Sequence, residues 1–147
     1  MLYKELETER LILKNISKTD RDFVFDQFSN DQVNEFLYDE EPLTDISRAD
    51  EIIDFFTQPE PRTHHRWIIT RKTDLVKVGT CGFHCHDKNK GNVEIGYDLG
   101  VNFWGFGYAR EAVGEIINFA KNHMNIQQIY ARIFTKNDRS IKLVQHL

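Results

Sequence analysis

The segment Asn102-Phe103-Trp104-Gly105-Phe106-Gly107-Tyr108-Ala109 places two glycines one residue apart just ahead of a strongly helical stretch. The first turn of a helix has backbone N–H groups without internal partners and carries the positive end of the helix dipole. Glycines there remove the side chains that would keep an anion from those donors. Gly105 and Gly107 therefore read as a cradle for a diphosphate, although the same pair also suits a plain tight strand-to-helix turn. Two other phosphate loops fit poorly. A dinucleotide fingerprint needs a third glycine where Arg110 stands, and a P-loop needs Lys-Ser/Thr where Tyr108 and Ala109 follow.

Other side chains invite chemistry and are weaker candidates. Cys81, His84, Cys85 and His86 have the residue types of a zinc site. In a strand, however, both cysteines point one way and both histidines the other, so four ligands cannot converge and no metal is expected. His64-His65 follows a Pro-containing stretch and reads as a solvated loop pair. Asp39-Glu40-Glu41, with Asp45, Asp50, Glu51 and Asp54, makes the early part of the chain acidic. That acidity is either a funnel for a cationic substrate or simply a solvated helix face.

The elements that must position these residues follow from periodicity. Glu9–Lys14 alternates as a strand, with Leu11 and Leu13 opposite Arg10, Ile12 and Lys14. Thr19 is the expected cap of a short helix with Phe23, Val24 and Phe28 on its apolar stripe. A second helix starts near Thr44, carries Ile46, Ala49, Ile52, Ile53 and Phe56, and ends before Pro59 and Pro61. Strands are predicted at Trp67–Ile69, Leu75–Cys85 and Val93–Val101, joined by the polar turns Lys72–Asp74 and Asp87–Asn92. Ala109, Ala112, Val113, Ile116, Ile117 and Ala120 then form one face of a long helix, with Phe119 off that stripe. Ile129–Phe134 reads as a further strand, parallel to the one before the long helix. Asn137-Asp138 caps a last helix bearing Ile141 and Val144. The predicted order is β-α-α-β-β-β-α-β-α.

Four pieces, in this order, resemble the GCN5-related N-acetyltransferases, in particular their ribosomal-protein alanine/serine branch. They are Glu7-Thr8-Glu9-Arg10-Leu11, Glu94-Ile95-Gly96-Tyr97, Trp104-Gly105-Phe106-Gly107-Tyr108-Ala109-Arg110-Glu111-Ala112 and Asn137-Asp138-Arg139-Ser140. The resemblance implies an α+β fold with a mixed, mostly antiparallel sheet and helices on both faces. It also implies acetyl-CoA as co-substrate and direct attack by a primary amine, without a covalent intermediate on Cys81. Leu99, Gly100 and Val101 would bind the thioester carbonyl and pantetheine arm. Trp104, Gly105, Phe106, Gly107, Tyr108 and Ala109 would hold the diphosphate, and Asn137 the pantetheine amide. Glu94 would take the amine proton and Ser140 would serve the departing thiolate. Glu94 also reads as a solvated strand carboxylate, and Ser140 as a first-turn serine bonded to backbone. Asp98, on the same strand face as Glu94, is expected to raise its pKa by like-charge repulsion. Gly96 and Gly100 are expected to let this strand bulge beside a ligand. Tyr97 and Tyr130 are spare acids that more simply pack.

The family loop usually opens with Gln or Arg where Asn102 stands. It also continues past the last helix into a closing strand pair, whereas this sequence stops at His146-Leu147. The expectation is thus one acetyltransferase domain over residues 1–147, with those strands truncated, swapped, truly absent or supplied by a partner. A length of 147 residues with 40% apolar and 29% charged residues suits a single globular domain. A net charge of −4 argues against a nucleic-acid binder and agrees with a cationic acceptor. Acceptors in view are a ribosomal protein N-terminus and a cationic small molecule such as a polyamine or aminoglycoside. A non-catalytic module binding CoA or acyl-CoA is the alternative, and self-association is open. The two cysteines give no disulfide framework, no signal peptide is visible and no apolar run is long enough to span a bilayer. A cytoplasmic, non-membrane protein is expected.

Overall fold

A computed structural model of the chain describes residues 2–34 and 42–131. Six strands form one sheet, ordered β1 (Leu6–Glu7), β2 (Leu11–Asn15), β3 (His65–Arg71), β4 (Lys77–Asp87), β5 (Asn92–Leu99) and β6 (Gln128–Tyr130). Neighbouring strands are antiparallel except β5 and β6, which run parallel as expected. Helices α1 (Arg21–Ser29), α2 (Asp31–Asn34) and α3 (Ser47–Phe56) follow β2. Helix α4 (Tyr108–His123) carries the chain from β5 back to β6, since parallel neighbours need a crossover. This is the predicted α+β fold with two additions, the short β1 and the single-turn α2. The expected last helix, with Asn137 and Ser140, lies outside the described residues, as do Arg132–Phe134 of the expected final strand.

Strand alternation sorts the core into two layers. Leu11, Leu13, Trp67, Ile69, Cys81, Phe83, Val93 and Ile95 pack with Ala112, Val113, Ile116, Phe119 and Ala120 of α4. The intervening Ile68 instead joins Ile16 and the α1 and α3 residues Val24, Ala49, Ile53 and Phe56 in a second cluster. The sheet is therefore covered on both faces by amphipathic helices.

Several local expectations need correction. Phe119 is a core residue, 3% exposed and 5.6 Å from the Trp67 ring, because Ala112, Ile116 and Phe119 form a ridge at i, i+4, i+7. Ser17, not Thr19, precedes the first helical turn, with its N–H donating to Asp20 Oδ2 at 2.8 Å. Asp45 rather than Thr44 satisfies the start of α3, its Oδ1 accepting the Ser47 N–H at 3.0 Å. Leu75 is no strand residue. It sits at φ 59° in the turn before β4 and is exposed. Cys81 and Cys85 do not share an environment: Cys81 is buried in the core, whereas Cys85 is exposed at φ 53° where the β4–β5 register shifts. That shift replaces the bulge expected at Gly96, which pairs regularly with Gly82. The His64-His65 pair is buried rather than solvated. His65 Nε2 lies 2.8 Å from Asn15 Oδ1, and His64 Nε2 lies 2.7 Å from the Phe55 carbonyl.

Candidate functional site

The Gly-rich segment leaves the sheet at the end of β5 and enters α4. Gly100 follows β5 and donates its N–H to the Val78 carbonyl at 2.8 Å. A short 3-10 turn, Val101–Phe103, comes next, and the Trp104 indole N–H ties back to the Leu99 carbonyl at 3.1 Å. Gly105 and Gly107 then adopt φ 87° and 81°, in the left-handed region that side-chain-bearing residues avoid. The first helical bond of α4 runs from the Glu111 N–H to the Gly107 carbonyl at 3.1 Å. Among the described residues, the amides of Gly105, Phe106 and Gly107 donate to no protein acceptor. Among the described residues, a Cβ at Gly105 would meet no atom within 4 Å, and one at Gly107 only Arg10 Nη2 at 3.4 Å. The turn is thus open, with unpaired donors beside a sixteen-residue helix's positive pole. No described residue plugs it, and it has the donor chemistry a diphosphate needs.

The β5–β6 ladder pairs Asn92, Val93 and Glu94 with Gln128, Ile129 and Tyr130. From Ile95 to Leu99, β5 pairs only with β4 among the described residues. β5 ends at Leu99, and Gly100 and Val101 lead on into the Gly-rich turn.

Glu94, Gly96 and Asp98 share the sheet face opposite α4, while Val93, Ile95 and Tyr97 belong to the α4 side. Glu94 is half-buried and sits opposite His84 in the ladder. Asp98 does not act as a loose neighbouring charge. It is buried, with Oδ1 accepting from Gln27 Nε2 at 2.7 Å and Oδ2 from Thr80 Oγ1 at 2.5 Å. Burial raises its pKa against the opposing influence of the Arg66 charge and these hydrogen bonds. Arg66 lies over the Phe56 ring at 5.2 Å, with Nη2 3.4 Å from His84 Nε2. Burial, reinforced by the Arg66 and His64 charges, lowers the His84 pKa to about 4, so this imidazole is neutral at pH 7.

The acidic region carries less unpaired charge than its sequence implies. Asp39-Glu40-Glu41 lies outside the described residues, Asp50 pairs with Arg21 at 2.9 Å and Glu51 with Arg48 at 3.2 Å. Among the described residues, no group of three or more His, Cys, Asp or Glu could hold a metal ion. No helix there is long and apolar enough to cross a membrane.

Residues 10–147 match the acetyltransferase (GNAT) domain family. The chain belongs to the GNAT acetyltransferases. It is 38% identical over 144 residues to the uncharacterized N-acetyltransferase p20 of Bacillus licheniformis, covering 97% of this chain and 80% of the relative. Its fold matches that of spermidine N-acetyltransferase from Vibrio cholerae, a structure in complex with CoA and spermine. There the TM-score is 0.83 at 15% identity, covering 95% of this chain and 80% of the other. The microcin C7 self-immunity acetyltransferase MccE, in complex with acetyl-CoA and AMP, gives a TM-score of 0.81 at 18% identity, covering 94% and 77%.

Within this GNAT fold, one part of the site escaped the sequence reading. Thr8, Arg10 and Glu111 converge on the Gly-rich turn across roughly a hundred residues of chain. Glu111 Oε2 accepts from Thr8 Oγ1 at 2.5 Å and from the Arg10 N–H at 2.9 Å. Arg10 Nε donates to Glu111 Oε1 at 2.7 Å, and Arg10 Nη1 to the Phe106 carbonyl at 2.9 Å. The local signal, Thr-x-Arg before a strand and Glu in a helix's first turn, was present, but nothing local links the two segments.

Proposed function

We propose that this GNAT chain moves an acetyl group from acetyl-CoA to a primary amine within a ternary complex. The observation that carries this reading is the open turn at the start of α4. Among the described residues it offers three unpaired amides and two left-handed glycines just beyond the end of β5. A diphosphate on Gly105–Ala109 leaves the pantetheine arm to run toward β5. Leu99, Gly100 and Val101 then meet the thioester end, Trp104, Phe106 and Tyr108 flank the phosphates, and Asn137 and Ser140 take the roles the family resemblance assigns. CoA in the V. cholerae structure and acetyl-CoA in that of MccE support acetyl-CoA as the co-substrate.

Acetyl-CoA supplies an activated thioester. The amine lone pair attacks its carbonyl carbon, the C–S bond breaks, the amine loses a proton and the departing thiolate gains one. Glu94, on the β5 face opposite α4, takes the amine proton, directly or through water, while Ser140 donates to the thiolate. The acceptor is a small amine or a protein N-terminus such as that of a ribosomal protein. The test is thiol release from acetyl-CoA with a panel of polyamines, aminoglycosides, amino acids and N-terminal peptides. Amine-dependent release is expected, falling roughly 10²–10⁴-fold in Glu94→Gln while CoA binding persists. CoA binding without release on any amine would replace the enzyme with a CoA-binding module.

A further inference from the structure

We infer that Arg10, held by Glu111 and Thr8, is a positioning residue that aims the Gly107 amide into the diphosphate cradle. The inference rests on the cofactor reading above and names what gives that turn its shape. Among the described residues the turn is poorly constrained by packing: Phe106 is 58% exposed, and a Cβ at Gly105 would have no neighbour within 4 Å. What grips it is Arg10. Its Nη1 takes the Phe106 carbonyl at 2.9 Å, and its guanidinium lies 4.6 Å over the Tyr108 ring. The Phe106 C=O and the Gly107 N–H belong to one planar trans peptide and point in opposite directions. Pulling that carbonyl toward β2 therefore turns the Gly107 N–H away from Arg10, toward the open side of the turn.

Arg10 needs an anchor of its own, because a guanidinium on a flexible stem loses entropy when fixed. Glu111 provides it through the Arg10 N–H and Nε, with Thr8 Oγ1 on the same carboxylate. Burial opposes the charge on Glu111, but these donors outweigh it and hold the carboxyl below the usual carboxylate range. The pairing also matters electrostatically. An uncompensated carboxylate in the first turn of α4 would repel a diphosphate at the same helix end, and Arg10 cancels that charge. Two effects of losing Arg10 thus add: a misaimed donor and an exposed like charge.

The experiment measures CoA affinity by calorimetry on the full chain, with melting temperature recorded for each variant. A charge-assisted contact contributes about 1.5–3 kcal/mol, so Arg10→Met should weaken CoA roughly 10- to 100-fold. Adding Glu111→Gln to Arg10→Met should recover part of that loss, because the repelling charge is removed. Arg10→Lys, which keeps the charge without the fork, should fall between wild type and Arg10→Met, and it reports on the same point if Arg10→Met fails to fold. Unchanged CoA affinity in Arg10→Lys and Arg10→Met, even with a lowered melting temperature, reduces Arg10 to a structural brace and overturns the inference. A double variant weaker than Arg10→Met overturns its electrostatic half. A wild-type chain that binds no CoA overturns the cofactor reading beneath it.

Discussion

Replacing Gly105 by alanine separates what the turn does for stability from what it does for the cofactor. Gly105 has φ 87°, and the added methyl would meet no atom of the described residues within 4 Å, so none of them adds a clash. The folding cost is the backbone term alone, about 1–2 kcal/mol for a side chain held in the left-handed region. For a domain of this size that corresponds to a melting temperature lower by roughly 2–8 °C. The methyl also enters the space through which a phosphate reaches the amides, and loss of one such contact weakens CoA by up to about 100-fold. At a CoA concentration 100 times the wild-type Kd, wild type gains about 2.7 kcal/mol, whereas a variant bound 100-fold more weakly gains only about 0.4 kcal/mol. Thermal melts with and without CoA read both quantities. Gly114→Ala is the control, since its Cβ also meets nothing within 4 Å but lies inside α4. It should stabilise by up to about 1 kcal/mol and leave the CoA response intact. A Gly105→Ala chain that melts earlier yet keeps the full CoA-induced shift would refute the cradle.

Other expectations come from the sheet face that carries Glu94. Asp98→Ala strands the buried Gln27 amide and Thr80 hydroxyl and should cost about 1–3 kcal/mol for each unpartnered group, measured by urea unfolding. Asp98→Asn, which keeps an acceptor, should cost less; equal losses would show that the hydrogen bonds are not what the site needs. His84 has its pKa lowered from 6.5 to about 4 by burial, then by Arg66 and His64, so the folded state favours its neutral form. Its contribution is complete above pH 6.5 and is lost as pH falls toward 4, because the unfolded chain takes up a proton that the folded chain does not. This group's slope is about 1.4 kcal/mol per pH unit, on top of one from His65, whose pKa burial lowers to about 3, and His84→Gln should reduce the total slope by that amount between pH 7 and 4. An unaltered slope would place that proton elsewhere.

Much of this protein was legible as local pattern. Alternation in Leu11–Leu13 and Val93–Ile95 fixed which side chains enter the core, since successive strand residues face opposite sides. The 3.6-residue period of α4 and the paired glycines ahead of it marked the helix and its exposed donors, because φ preference and unpaired first-turn amides are properties of short segments. Other features depended on which distant segments meet. Phe119 became a core residue because the sheet offers α4 a surface wider than one stripe. Asp98 was withdrawn from solvent by Gln27, seventy-one positions earlier in the chain, and Asp50 and Glu51 were matched by arginines. Arg10 and Glu111 gained their meaning only when the sheet brought the start of β2 against the first turn of α4. Hydrogen bonds and ion pairs need positions correct to fractions of an ångström. Periodicity sets the direction of a side chain, but only the packed sheet and helices set its partner.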